Sequence, residues 1–298
     1  MTSPRTDRNE PRWHQALDHE SADAVQALAD DAAEHDGVAP LGEELVLGLR
    51  RPGRHLLAGE RPPFAGYAGL TEDGTAEVVV APGSRRSGVG RTLAESVLAA
   101  EPNARFWAHG DLPAAQGLAA DLGLEQVREL RVLRRELAGV PDAPEPPPGY
   151  RVRTFVRGTD EEALLEVNAA AFADHPEQGR LDRAGFEERA QQPWFDPAGI
   201  FLVEDGEGGI AAFHWTKVAD PPVGEVYVVG VHPKHQGRGL GGLATAVGLQ
   251  HLRDRGLQTV ELYVEGDNTP ALATYERAGL TPFAVHAMYA RPHGALPQ

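Results

Sequence analysis

The amino-acid sequence predicts an α/β chain built as two like domains in tandem. Three observations carry that expectation. Predicted strands and helices interleave along the whole chain, one strand–glycine-turn–helix unit occurs twice, and a proline-rich stretch lies between the two copies. With 298 residues the chain can give each domain a core of its own.

In the first half, apolar spacing predicts helices near residues 22–33 and 43–49, then strands at 55–58, 65–70 and 76–81. A helix follows at 88–100, a strand at 105–108, a helix at 113–121 and a strand at 129–137. Residues 139–149, G-V-P-D-A-P-E-P-P-P-G, hold five prolines and little to bury, and read as a stiff linker between domains 1–138 and 150–298. The second half repeats the order: a strand at 151–155, helices at 161–172 and 183–190, and strands at 200–204, 210–218 and 225–231. It ends with a helix at 239–254, a strand at 259–264, a helix at 269–278 and a strand at 282–290.

The repeat is visible residue by residue. Pro82, Arg85, Gly88 and Gly90 recur as Pro233, Gln236, Gly239 and Gly241, each pair 151 apart. Gly110, Asp111, Gly123 and Leu124 recur as Gly266, Asp267, Gly279 and Leu280, each pair 156 apart. A strand, a glycine turn and a helix N-terminus make an anion cradle, because backbone N–H groups point outward, no Cβ blocks a pyrophosphate and the helix dipole favours negative charge. The glycines at 237, 239, 241 and 242 do not follow the dinucleotide pattern G-x-G-x-x-G, and no G-K-[ST] is present.

Composition removes other classes. A balance of 28 basic against 44 acidic residues, net −16, opposes nonspecific binding to nucleic acid or anionic lipid. The absence of cysteine excludes disulfides, thiolate catalysis and Cys-based zinc sites. His232 and His235 form H-x-x-H in a loop with no third ligand suggested, so no metal is expected. No run approaches the roughly 18 apolar residues of a membrane span, and the first 14 residues lack a signal core. The expectation is a soluble, cytoplasmic protein.

The twice-repeated Q/R-x-x-G-x-G between strand and helix resembles the GCN5-related N-acetyltransferase (GNAT) superfamily over nearly the whole chain. That resemblance implies two tandem domains, each a central mixed β-sheet flanked by helices, with acetyl-CoA as co-substrate. The turn would hold the pyrophosphate through Gln236, Gly237, Arg238, Gly239, Leu240, Gly241 and Gly242. Val229, Gly230 and Val231 would run along the pantetheine arm, with Asn268 and Ala273 beside it. In the first domain, Val79, Val80 and Ala81, and the turn Ser87, Gly88, Val89, Gly90, Arg91 and Thr92, take the same places.

Further strings resemble a tandem branch of the superfamily that acetylates the cysteine amine of a cysteinyl-glucosaminyl-inositol. They are D-G-V-A-P-L-G-E at 36–43, F-W-A-H-G at 106–110, A-F-A-D-H-P-E-Q-G at 171–179, F-H-W-T-K at 213–217, G-E-V-Y-V at 224–228 and L-Y-V-E-G-D-N at 262–268. The resemblance implies Glu225 as general base, Tyr275 as general acid, and Glu43, Glu177, Lys217, Glu225 and Tyr263 as contacts to the substrate. An α-amine titrates near 7.7 to 8.0, so a weak base suffices, and a phenol near 10 can protonate a thiolate. Each role has a plain alternative: a strand-edge carboxylate for Glu225, a core tyrosine for Tyr275, a first-turn helix charge for Glu43 and a solvated strand end for Lys217. At the repeat offsets, residue 225 falls on Gly74 and residue 275 on Ala119, so the first domain is expected to bind acetyl-CoA without catalysing transfer. Acetylation of another amine and a non-catalytic acyl-CoA sensor remain the competing readings.

Overall fold

The computed structural model of the protein describes residues 10–173, 178–219 and 221–292. Packing divides the chain into two compact units, Met1–Leu130 with Val285–Gln298, and Arg131–Ala284.

In chain order, unit 1 holds β1 (Pro11–His14), α1 (His19–Asp36), α2 (Glu43–Gly48), β2 (Arg54–Ala58), β3 (Gly66–Leu70), β4 (Thr75–Val80), α3 (Val89–Ala100), β5 (Arg105–Ala108) and α4 (Pro113–Asp121). The next strand, β6 (Glu125–Glu136), begins in unit 1 and ends in unit 2. β1 to β4 pair antiparallel in sequence order, and β5 adds parallel to β4. The strand β1 was not expected from the sequence: only four residues long and mostly exposed, it carries too little alternation to register as a period. One face of the sheet buries Leu57, Tyr67 and Val79 against Val25, Ala29 and Ala32 of α1. The other buries Leu56, Ala68 and Ala76 against Leu93 and Val97 of α3. That alternation is what a pleated strand with helices on both faces requires.

Unit 2 continues with β7 (Tyr150–Thr154), α5 (Glu161–Ala171), α6 (Arg183–Ala190), β8 (Ile200–Asp205), β9 (Ile210–Lys217), β10 (Val223–Val231), α7 (Leu240–Asp254), β11 (Thr259–Glu265), α8 (Thr269–Arg277) and β12 (Thr281–Ala290). β7 to β10 are antiparallel and β11 is parallel to β10, the same mixed pattern as unit 1. Phe213, Trp215 and Val228 face Leu164 of α5 and Phe186 of α6. Val226 and Leu262 face Leu249 and Leu252 of α7. Each fully buried side chain of this size contributes about 1.5–3 kcal/mol.

The packing division does not fall at the proline-rich stretch. Residues 139–149 lie within unit 2, where Val140 is buried and its carbonyl accepts from Arg253, while Gln250 Oε1 accepts from the Ala143 N–H. The end of β12 belongs with unit 1, because Ala287, Met288 and Tyr289 pair with Ala108, Trp107 and Phe106 of β5. Sheet hydrogen bonding, which links residues far apart in sequence, sets these limits.

Candidate active site

The parallel pairing of β10 with β11 runs only from Val223↔Thr259 to Glu225↔Glu261, whereas the antiparallel pairing of β10 with β9 continues to Val231↔Ala212. The two parallel strands therefore diverge beyond Glu225, and residues 226–231 border a fork with backbone groups available to a ligand. A β-bulge between Val226 and Val228 sits at the mouth of the fork, so Tyr227 and Val228 both face α5 and α6 while Val226 and Val229 face the opposite side. Gly230 is small for a packing reason: a Cβ there would stand 2.4 Å from the Phe213 ring and 3.1 Å from Ala171. The expected pantetheine residues Val229, Gly230 and Val231 thus lie together on the diverging edge.

Beyond the fork the chain turns at Gln236, and Gly237 and Gly239 adopt φ of 75° and 79°, a left-handed backbone that favours glycine. α7 starts at Leu240, which is buried and anchors the turn, while a Cβ on Gly237, Gly239 or Gly242 would meet nothing within 4 Å. Gly241 faces Val231 across the turn. The helix N-terminus with its unblocked N–H groups fits a pyrophosphate. Arg238 donates to the Tyr150 hydroxyl, which also meets His235, so the turn is tied to β7. Asn268 caps α8, accepting from the Ala271 N–H at 3.2 Å, and Ala273 lies half-buried one turn on.

Glu225 stands at the base of the fork with its side chain about one-fifth exposed, and Lys217 Nζ lies 3.8 Å from its Oε2. Lys217 is held in turn by aromatic faces, its ammonium 5.1 Å from the Trp194 ring centre and 5.4 Å from that of Tyr227. Arg189 fixes Tyr227 by donating to its hydroxyl at 2.8 Å. Lys217, expected as a substrate contact, is therefore also the cation beside the proposed base. No local pattern marks Trp194 or Arg189, because they reach this point from the α6 region only after folding.

Tyr275 of α8 packs against the core on the α7 side of the sheet, together with Val226 and Leu262, and burial pushes its phenol up to about 12. Tyr263 of β11 is exposed, and its phenol is pushed up to about 12 by burial of the hydroxyl and then by the charges of Glu261 and Glu225. Glu43 is the first residue of α2 in unit 1. Glu177 lies outside the described residues. Among those described, no group of three or more His, Asp or Glu could hold a metal ion, and no helix is long and apolar enough to cross a membrane.

Unit 1 repeats the fork. β4 pairs with β5 from Thr75↔Arg105 to Glu77↔Trp107 and with β3 on to Val80↔Gly66. A cavity of about 740 Å³ opens there, lined by Val79, Val80, Gly88, Gly90, Arg91 and Trp107 among others. Ala81 ends the strand, Ser87 bonds back to the Ser84 carbonyl, Val89 is buried, and Thr92 bonds to the Gly88 carbonyl. At the offset positions, Gly74 lies in the turn before β4 and Ala119 in α4. A carboxylate stands here that the offsets of 151 and 156 do not reveal: Glu77 is the last residue of β4 paired with β5, as Glu225 is the last of β10 paired with β11. Its surroundings differ. Glu77 is 6% exposed, its Oε2 accepts from the Gly42 N–H at 2.6 Å, and its Oε1 lies 3.1 Å from His109 Nε2. His109 in turn meets His286, whose imidazole is pushed down to about 4 by burial and by His109. Oε2 of Glu77 is thus bonded to the backbone, and its Oε1 faces the imidazole of His109.

The fold and the fork define a GNAT acetyltransferase, an acetyl-CoA-dependent acyltransferase. The Acetyltransferase (GNAT) family model matches residues 164–280. A tandem GNAT protein from the clavulanic acid biosynthesis pathway superposes with a TM-score of 0.73 at 20% identity, covering 97% of this chain and all of that one. A GCN5-related N-acetyltransferase from Sphaerobacter thermophilus gives 0.72 at 24% identity, covering 96% and 98%. Within that class the chain belongs to the mycothiol acetyltransferase family. It is 48% identical to the mycothiol acetyltransferase of Actinosynnema mirum over 93% of this chain and 98% of that protein. It is 48% identical to that of Streptomyces coelicolor over 97% and 99%, and 51% identical to that of Thermomonospora curvata over 90% and 93%.

Proposed function

We propose that the protein transfers the acetyl group of acetyl-CoA to the cysteine α-amine of cysteinyl-glucosaminyl-inositol, completing mycothiol, and that unit 2 performs the chemistry. The observation that carries this reading is the position of Glu225 at the fork of β10 and β11 with Lys217 3.8 Å away, next to an open glycine turn. With acetyl-CoA along the fork, the thioester carbon would lie near Glu225. The neutral amine attacks the carbonyl and gives a proton to Glu225 as the C–N bond forms, and a backbone N–H of the diverging strand can hold the developing charge on oxygen. The C–S bond then breaks, and Tyr275, kept neutral by burial, gives its proton to the leaving thiolate. Lys217, Tyr263, Glu43 and Glu177 are proposed as contacts to the acceptor.

Unit 1 is proposed to hold acetyl-CoA in its own cavity without catalysing transfer. The burial of Glu77, with Oε2 held by the Gly42 N–H, supports this, since a buried carboxylate held by the backbone is poorly placed to take a proton from a substrate. The enzyme is further proposed to work as a cytoplasmic monomer, which gel filtration checks.

The test is release of CoA thiol on mixing acetyl-CoA with cysteinyl-glucosaminyl-inositol, run beside glucosamine and a peptide amine. Turnover of the first by a wide margin is expected. Turnover of one of the others without the first would overturn the substrate assignment.

A further inference from the structure

Five neighbouring strands of unit 2, β12, β6, β11, β10 and β9, each place one side chain in a row across the sheet: Phe283, Arg134, Glu261, Glu225 and Lys217. The row is continuous. The Arg134 guanidinium lies 3.6 Å from the Phe283 ring centre, its Nη2 donates to Glu261 Oε2 at 2.6 Å, Glu261 is the register partner of Glu225, and Lys217 closes the row on Glu225. Val260, Leu262 and Val264 are buried toward α7 and α8, so Glu261 and Tyr263 face the other way, as Glu225 does. The charges run positive, negative, negative, positive. The two cations stand at the outside, and the two carboxylates meet in the middle on strands about 5 Å apart.

We infer that Glu261, held by Arg134, is the residue that receives the charged amine of the acceptor, and that Glu225 beside it removes the proton. This rests on the proposed reaction, whose acceptor arrives largely as an ammonium because an α-amine titrates near 7.7 to 8.0. Two like charges side by side leave a place for a cation between them. Both bonds from Arg134 fall on the same oxygen, Oε2, so the guanidinium orients Glu261 without covering its other oxygen. Tyr263 adds a hydroxyl bond to the same carboxylate. Phe283 covers one side of Arg134 and fixes its plane. Division of labour follows: one carboxylate with a fork of donors to hold it still, and one beside a lysine to take the proton. No covalent change occurs at Glu261. One ammonium proton passes through Glu225 to solvent, and the remaining amine, already placed against the fork, gives a second to Glu225 as the C–N bond forms.

The experiment compares affinities of the full-length protein for the amine acceptor and for its neutral N-acetyl product. Glu261→Gln keeps the shape and removes the charge. It is expected to raise KM and Kd for the amine about tenfold or more, to leave KM for acetyl-CoA unchanged and to move the product Kd by less than about twofold. Glu261→Asp should recover part of the amine affinity. Equal weakening of amine and product would mean a merely structural role and would overturn the inference, as would unchanged amine affinity. Circular dichroism and the melting temperature check that the variants fold. If the wild-type enzyme acetylates a different amine, the same comparison is made with that amine and its amide, so the assignment of Glu261 is tested apart from the substrate. Turnover of no amine by the wild type would overturn both.

Discussion

His214 of β9 offers a quantitative test of how the fork is supported. It is fully buried, its Nδ1 lies 2.8 Å from the Ala244 carbonyl of α7, and it is the register partner of Val229. Burial, with a smaller contribution from nearby His251, pushes its imidazole down to about 4. The sign follows directly. Above the unfolded value of 6.5 the ring is neutral in both states, and as pH falls from 6.5 toward 4 the unfolded chain binds a proton that the folded chain resists. Folded stability is therefore lost over that window. With those two values, the loss attributable to His214 at pH 4.5 is about 2.5 kcal/mol. His214→Asn retains a donor where Nδ1 stands and removes the titration. Urea unfolding followed by tryptophan fluorescence at pH 7 and pH 4.5 should show a difference between the two pH values smaller by about 2.5 kcal/mol in the variant than in the wild type. Equal pH dependence in both proteins would refute the reasoning.

The other predictions concern the same unit. Gly248→Ala places a Cβ 2.0 Å from the His214 ring and should cost about 3 kcal/mol by urea unfolding; the double change with His214→Ala should recover much of it, and simple additivity would show that the ring is not the cause. Glu225→Gln should lower kcat about 10²–10⁴-fold with little change in KM for acetyl-CoA, and catalysis restored to Glu225→Ala protein by unit 1 would contradict the assignment of the chemistry to unit 2. Tyr275→Phe should lower kcat about tenfold or more with acetyl-CoA affinity intact, measured by steady-state kinetics; an unchanged kcat would leave Tyr275 a core residue.

Much of the fold is local in origin and was legible. The valines of β10 alternate with the needs of a two-faced sheet, Gly237 and Gly239 announce a turn that only glycine enters easily, and α7 follows from the leucine spacing after them. The strand Pro11–His14 was not legible, being too short to show a period. Neither was the mutual arrangement of charged side chains. Nothing near Glu261 in sequence indicates that Arg134, 127 residues away, will hold it, or that Trp194 and Tyr227 will flank Lys217. Counting from one repeat to the other assigned Gly74 to the place of Glu225. Pairing shows instead that Glu77 ends the parallel pairing of β4 with β5 three residues before Val80, whereas Glu225 ends that of β10 with β11 six residues before Val231, so the offset that relates the glycine turns does not carry to the forks.

By itself the sequence determined the class: a repeated strand, glycine turn and helix, with motifs that mark the acetyltransferase family. Those are properties of short segments, set by backbone conformation and side-chain period. Only the tertiary structure decided that a carboxylate, Glu77, stands at the first fork too, and what surrounds each. Glu77 is buried with Oε2 bonded to the Gly42 N–H, and Glu225 is about one-fifth exposed beside Lys217, because burial and charge depend on neighbours from distant strands and helices.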